Sequence, residues 1–200
     1  TSKYRLLQAV EQNKIQRSAI DWRRTVQLLN SYTDSIRAYA RKILGQPLAN
    51  RKEVYEKYQP SLNLPGDTAK GLMLFKQHCG VCHQFGGAYG KAIGPDLASI
   101  RNREARFILE DILDPNRSLA DEYETWEIEK KDGEQITGII SNETNSNLTL
   151  VDALGTPTTL ARSDIKNLTA TDVSMMPAGF EFIIDVEEMA SLLSFLKGIK

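Results

Sequence analysis

A pair of cysteines followed at once by a histidine is the part of this sequence best suited to chemistry. Cys79 and Cys82 are three positions apart, and His83 comes directly after the second. Two thiols at this spacing reach the two vinyl groups of one porphyrin, and the histidine then lies beneath the iron. The motif therefore predicts one covalently bound haem c with His83 as an iron ligand.

Two other kinds of site also use closely spaced cysteines. A zinc site would need His78 and His83 as further ligands, but each is adjacent to a cysteine, which strains tetrahedral coordination. A thioredoxin-like dithiol needs a βαβ setting, whereas the segment before Cys79 has a helical pattern. We therefore favour haem over both alternatives, and we expect His78 to be exposed or to cap a helix.

Composition and charge narrow the functional classes. The formal net charge of the 200-residue chain is −1, which argues against nucleic acid and against an anionic membrane surface as partners. No apolar run approaches the ~20 residues that a membrane span needs. Only two cysteines are present, so a disulfide framework is excluded. The start at Thr1 has no apolar leader, and we interpret it as the start of a mature product or an excised segment.

Helical patterns fill the first 62 residues. Apolar residues recur at helical spacing around Val26 and over residues 36–44, and a third helix is predicted over residues 51–58 with Asn50 as its N-cap. The turn-rich stretch 61–66 then marks the predicted boundary. We therefore divide the chain into a helical segment, 1–62, and a second domain, 63–200.

The second domain begins and ends with helical patterns. Asp67 is predicted to cap a helix that runs to the cysteines, and Asn102 is predicted to cap another over residues 103–113. The last helix begins at Asp185, where Glu188 completes a start typical of a capping box.

Between these helices the apolar period changes from helical to alternating. The change begins at Tyr123, and Asp132-Gly133 is a strong hairpin signal. Strands are predicted over residues 136–140, 148–151 and 158–161. We interpret residues 122–168 as a small antiparallel β insertion in which Trp126 packs against the sheet.

Several segments outside the cysteine motif resemble a known family. They are Gly71 to Phe75, Gly94-Pro95-Asp96-Leu97, Met175-Met176-Pro177 and residues 192–196. Together they resemble the class I c-type cytochrome fold over residues 67–200. The chain is more closely similar to the haem-binding domain at the C-terminus of large multidomain proteins in Planctomycetes and related bacteria, which often carry helical repeats before it. The expected fold class is mainly α: a class I cytochrome c fold with a small antiparallel β insertion, preceded by a HEAT-like helical segment.

The resemblance implies roles for residues around the haem. Gly71 and Phe75 would pack where the first and last helices of the domain cross. The carbonyl of Pro95 would accept a hydrogen bond from the ring of His83, and Leu97 would pack on the haem.

The resemblance also implies a methionine as the sixth iron ligand. Its place directly before a proline favours Met176, with Met175 as the fallback. Met73 and Met189 lie on predicted helices, and we expect both in the core.

A haem iron with both a histidine and a methionine ligand has no open position for substrate. The predicted function is one-electron transfer by an electron carrier, not an enzyme. The resemblance implies redox partner proteins or an attached dehydrogenase-like module, a periplasmic or other extracytoplasmic location, and a chain that is the tail of a longer protein. Two alternatives stay open: a five-coordinate haem that senses or reacts with gases or peroxide, and a haem-stabilised docking module.

Overall fold

The computed structural model describes residues 2–29, 31, 33–44, 50–120, 122–171 and 173–198. The helices are α1 Ser2–Glu11, α2 Trp22–Leu29, α3 Asp34–Ile43, α4 Arg51–Tyr58, α5 Thr68–Leu74, α6 Ala105–Leu113 and α7 Val186–Lys197. The strands are β1 Gln84–Phe85, β2 Tyr89–Gly90, β3 Thr125–Lys130, β4 Gln135–Glu143, β5 Asn147–Val151, β6 Pro157–Ala161 and β7 Ile165–Thr171. Among the described residues, no helix is long and apolar enough to cross a membrane.

The fold class is mixed α and β, so the expectation of a mainly α class I cytochrome c fold is wrong. About 42% of the chain is helical and about 20% is strand, and β3 to β7 form a five-stranded antiparallel sheet. The β insertion was expected, but its last strand, β7, was not predicted and extends past residue 168 to Thr171. In this edge strand every third residue is half-buried and the others are exposed, so the strand lacks the alternation that predicts a strand.

The sheet is strongly bent. Its strand order is β6-β5-β4-β3-β7, and the chain passes from one edge strand to the other through the single turn Arg162–Asp164. In a flat sheet these edges would be ~19 Å apart, since neighbouring strands lie ~4.8 Å apart. The four residue steps from Ala161 to Ile165 span at most ~14 Å even when fully extended. The edges must therefore curl towards each other.

Side chains cap the N-termini of α4 and α5 as predicted, whereas the residue predicted to cap α6 does not. The side chain of Asn50 accepts a hydrogen bond from the Lys52 N–H, and Asp67 caps α5 by accepting from the Ala69 N–H at 2.8 Å. These two predicted caps are confirmed. The predicted cap at Asn102 is wrong, because the chain forms turns there and α6 begins only at Ala105.

Three clusters of apolar side chains form separate cores. The main core lies between α4, α5, α6 and α7, the N-terminal core between α1, α2 and α3, and the sheet core within the bent sheet. Tyr58 of α4 is buried in the main core, and its hydroxyl donates to the Ile184 carbonyl at 2.5 Å. Helix α4 thus packs with elements beyond the predicted boundary at 61–66, and that boundary stays a prediction.

The closest helix crossing in the main core joins α5 to α7. A Cβ atom at Gly71 would overlap the Ser191 carbonyl oxygen and would lie 2.7 Å from the Phe195 Cβ. Phe75, which is fully buried, packs against Phe195 with 5.4 Å between the ring centroids. Only a residue without a side chain lets the two backbones approach this closely.

Helix α7 depends on a reciprocal cap. The Asp185 carboxylate accepts a hydrogen bond from the Glu188 N–H at 2.7 Å, and the Glu188 carboxylate accepts one from the Asp185 N–H at 3.2 Å. We expect Asp185→Ala to lower the free energy of unfolding by about 1 kcal/mol, measured by urea denaturation. Glu187→Ala, an exposed acidic change in the same turn, is the matched control. An equal loss in both variants would show that only the charge near the helix end matters.

Candidate functional site

The cysteine motif lies at the end of α5. The helix widens there into a π turn, Phe75–Cys79, in which the Gly80 N–H donates to the Phe75 carbonyl at 2.7 Å. The N–H groups of Cys82 and His83 then both donate to the Cys79 carbonyl, at 3.0 and 2.9 Å. One compact turn therefore carries both thiols and the imidazole, at the helix end where the sequence predicts them.

His83 is held in one tautomer. Its Nδ1 lies 2.8 Å from the Pro95 carbonyl oxygen, the contact that the resemblance implies. A carbonyl only accepts, so Nδ1 donates its proton and Nε2 carries the free lone pair. Burial lowers the pKa of His83, while the hydrogen bond to Pro95 acts in the opposite direction. The ring is thus the neutral imidazole, which is the form in which a histidine binds metals.

Two glycines of the loop that follows His83 pack so closely against it that neither position has room for a side chain. A Cβ atom at Gly94 would lie 2.7 Å from the His83 Cε1, and one at Gly90 would overlap the His83 carbonyl oxygen. Gly90 also has a φ of +78°, which only glycine adopts without strain. The Asp96 carboxylate holds the neighbouring loops together by accepting from the Gly86 and Ala98 N–H groups, each at 2.9 Å.

Both cysteines have free thiols, and neither is poised as a thiolate. Burial raises the pKa of the Cys79 thiol to about 12, and the neighbouring Cys82 adds to the shift. The pKa of Cys82 is raised by burial as well, with Lys91 opposing the shift. A dithiol redox catalyst needs the opposite, a thiol whose pKa is lowered.

We expect Cys79 to react slowly with iodoacetamide in the folded, haem-free chain. A pKa of about 12 instead of 9.0 makes the thiolate about a thousandfold scarcer at pH 8. The Cys82→Ser variant isolates Cys79, and its alkylation rate is measured by mass spectrometry with the urea-unfolded protein as the control. Faster alkylation in the folded protein than in the unfolded one would restore the redox-dithiol interpretation, because it would show a lowered thiol pKa.

His78 is buried, and the expectation that it is exposed is wrong. Only 8% of its surface is accessible, and its ring lies edge-on to Phe180. Burial lowers its pKa, and its Nδ1 has no hydrogen-bond partner among the described residues. Its position four residues after Leu74 and seven after Gly71 places it on the buried face of the helix.

The methionines before α7 lie at the edge of the main core. Met175 and Met176 are both half-buried and pack against it. The Met176 N–H donates to the Ser174 hydroxyl at 3.1 Å, and the Ser174 N–H donates to the Asn116 side chain at 2.8 Å. No sequence pattern predicts this role of Asn116. Met176 as the ligand, with Met175 as fallback, stays a prediction.

The other residues with an expected position are not all found where the sequence places them. Met189 is fully buried, as predicted. Leu97, which the resemblance places on the haem, is half-buried against the main core, and its contact with haem stays a prediction. Met73 is 63% exposed, so its expected core position is wrong. Trp126 packs against the sheet core, in agreement with a packing role.

Within the described ranges, no group of three or more His, Cys, Asp and Glu side chains lies close enough together to hold a metal ion. The zinc alternative required such a group, with His78 and His83 joining the two cysteines. A His/Met haem site does not require it, because His83 is its only iron ligand of these four types.

Comparison with known proteins adds no family assignment. No protein-family model matches this chain, and no curated protein matches its sequence.

Proposed function

We propose that this chain binds one haem c through Cys79 and Cys82 and transfers electrons one at a time. The observation that carries the proposal is the orientation of His83. Its Nδ1–H is bound to the Pro95 carbonyl, which leaves the Nε2 lone pair for an iron atom beside two free thiols. A neutral imidazole fixed through its other nitrogen is the usual form of a histidine ligand.

The surrounding residues fit a flat apolar cofactor. Five apolar side chains pack against the main core while staying half-exposed: Val81, Leu97, Ile100, Met175 and Met176. The two thiols would form thioether bonds, and His83 with Met176 would ligate the iron. When bound, haem supplies an Fe(II)/Fe(III) couple that takes up and releases single electrons.

The chain's own groups would set the properties of this couple. The Pro95 carbonyl polarises the His83 ring through the Nδ1–H and makes Nε2 a stronger donor. The soft sulfur of Met176 would favour Fe(II) and raise the potential. If His83 and Met176 both ligated the iron, no position would be left for a substrate, which supports an electron carrier over an enzyme.

The partners and the location follow from the same proposal. A carrier of this kind exchanges electrons with redox partner proteins or with an attached dehydrogenase-like module. Since covalent haem is attached outside the cytoplasm in the family that the chain resembles, we propose a periplasmic or other extracytoplasmic location.

Substitution of the two methionines tests the ligand set. We expect the ferric protein to show the weak far-red sulfur-to-iron absorption band, and Met176→Ala to abolish it. Met175→Ala is the matched control and should keep the band. The reduced wild-type protein should not bind CO, whereas reduced Met176→Ala should bind it.

Two other outcomes of this experiment would change the ligand or the function. Loss of the band in Met175→Ala alone would make Met175 the ligand and leave electron transfer in place. A wild-type protein that lacks the band and binds CO fully would have a five-coordinate haem, and the sensor or enzyme alternative would replace the proposed function.

A further inference from the structure

The loop that orients His83 is itself tied to the cysteine motif. The N–H groups of Ile93 and Gly94 both donate to the Cys82 carbonyl, at 2.9 and 2.8 Å. The next residue, Pro95, accepts the hydrogen bond from His83, and Gly94 lies directly against the imidazole ring. A shift of residues 93–95 therefore changes both the packing against the imidazole ring of His83 and its hydrogen bond.

A turn of the five-stranded sheet, distant in sequence, packs against this loop. The turn Asp152–Thr156 connects β5 to β6, and a Cβ atom at Gly155 would lie 2.9 Å from the Ile93 Cδ1. The backbone of the turn thus packs directly against the Ile93 side chain, with no space for a side chain at position 155. Gly155 has a φ of +81°, a conformation that favours glycine.

The turn is rigid enough to act as a support. The Asp152 carboxylate is buried and accepts hydrogen bonds from the Leu154 and Thr156 N–H groups, each at 2.8 Å. Ala153 is 8% exposed and belongs to the main core, whereas the strands on either side of the turn contribute to the sheet core. The turn is therefore anchored in the same core as the cysteine motif.

We propose that the turn Asp152–Thr156 is a positioning element for His83. The turn supports Ile93, and the loop that contains Ile93 orients the His83 ring. The inference rests on the proposed function, because the orientation of His83 affects electron transfer only if His83 ligates the haem iron. It gives the β insertion a role in that function: the sheet supplies the support for the loop that holds the axial ligand. The orientation and the hydrogen bond of a histidine ligand tune its donor strength.

Two substitutions loosen this support without changing a residue that touches the haem in the proposed site. Ile93→Val removes the Cδ1 atom that meets Gly155, and Asp152→Ala removes the acceptor of the two turn hydrogen bonds. Asp152→Asn keeps a side-chain oxygen as acceptor and is the conservative rescue. Leu154→Ala, at an exposed position of the same turn, is the matched control.

Two measurements are made on the haem-loaded proteins. At a fixed applied potential, we expect the ratio of reduced to oxidised protein to change about twofold to tenfold in Ile93→Val and Asp152→Ala. In the reduced protein, the His83 Nδ1–H proton, followed by NMR, should exchange faster in the same two variants. Asp152→Asn and Leu154→Ala should match the wild type in both measurements.

A further variant separates positioning from loss of stability. Ile128→Val removes a methyl group from the sheet core, far from Ile93 in sequence and in a different core from Ala153 of the turn. If Ile128→Val shifts the redox ratio as much as Asp152→Ala does, the turn has only a structural role and the inference is overturned. Unchanged ratios and exchange rates in all turn variants, with haem attached, overturn the inference but leave the proposed function in place. Absence of covalent haem from the wild-type protein would overturn both.

Discussion

Replacing both Cys79 and Cys82 with alanine is expected to abolish covalent haem completely. The single variants should each keep haem through one remaining thioether. The reason is geometric: both thiols lie on one compact turn, His83 follows at once, and the described residues offer no other cysteine. This is the largest effect that we expect from a change in the chain, because every other property of the proposed site depends on the bound haem.

The measurement is the absorption spectrum of the denatured protein in alkaline pyridine, which distinguishes two, one and no thioether bonds. The mass of the intact denatured chain gives an independent reading, since covalent haem stays on the protein. The proteins are produced with a secretion signal in a host that matures c-type cytochromes. Gly80→Ala, between the two cysteines, is the matched control and should keep both thioethers, because the nearest atoms to a Cβ there are 3.4 Å away.

The opposite result is equally clear. A colourless wild-type protein with two free thiols, or with a zinc ion bound to them, would remove the basis of the proposed function. If the cysteine variants assembled normally and left electron flow in a larger parent protein unchanged, the docking-module alternative would explain the chain better.

The arrangement of the two thiols and the imidazole was predictable because it is local in sequence. Cys79, Cys82 and His83 lie within one turn, so their spacing alone sets their geometry. Pro95 lies 12 positions beyond His83, and only the resemblance to a known family suggested their contact. The contact of Gly155 with Ile93 joins two segments that no sequence pattern relates, and it needed the folded structure.

The errors in the fold prediction also have physical causes. Alternation identified β3 to β6, but β7 pairs with only one neighbour and has a half-buried residue at every third position. The helical pattern before the motif was found, but its end as a π turn was not, since no residue marks it. The five-stranded sheet, with β7 as its edge strand, makes the fold mixed α and β.

The helix crossing at Gly71 provides the second large effect, this time on stability. A methyl group there would overlap the Ser191 carbonyl oxygen, and backbone atoms cannot move aside as a flexible side chain can. Overpacking of this kind costs about 3 kcal/mol, while alanine gains about 1 kcal/mol over glycine within a helix. We therefore expect Gly71→Ala to lower the free energy of unfolding by about 2 kcal/mol, measured by urea denaturation.

The same substitution at Gly80 separates the crowding from the change in helix propensity. Gly80 has a helical φ of −63°, and a Cβ atom there would meet its nearest neighbours at an ordinary 3.4 Å. Gly80→Ala should therefore be neutral or slightly stabilising. Shortening Phe195 in the Gly71→Ala background should not restore stability, because the closest obstacle is the Ser191 backbone. If Gly71→Ala proved as stable as Gly80→Ala, α5 and α7 would not cross at the distance described, and the helix that presents the cysteine motif would be held by other contacts.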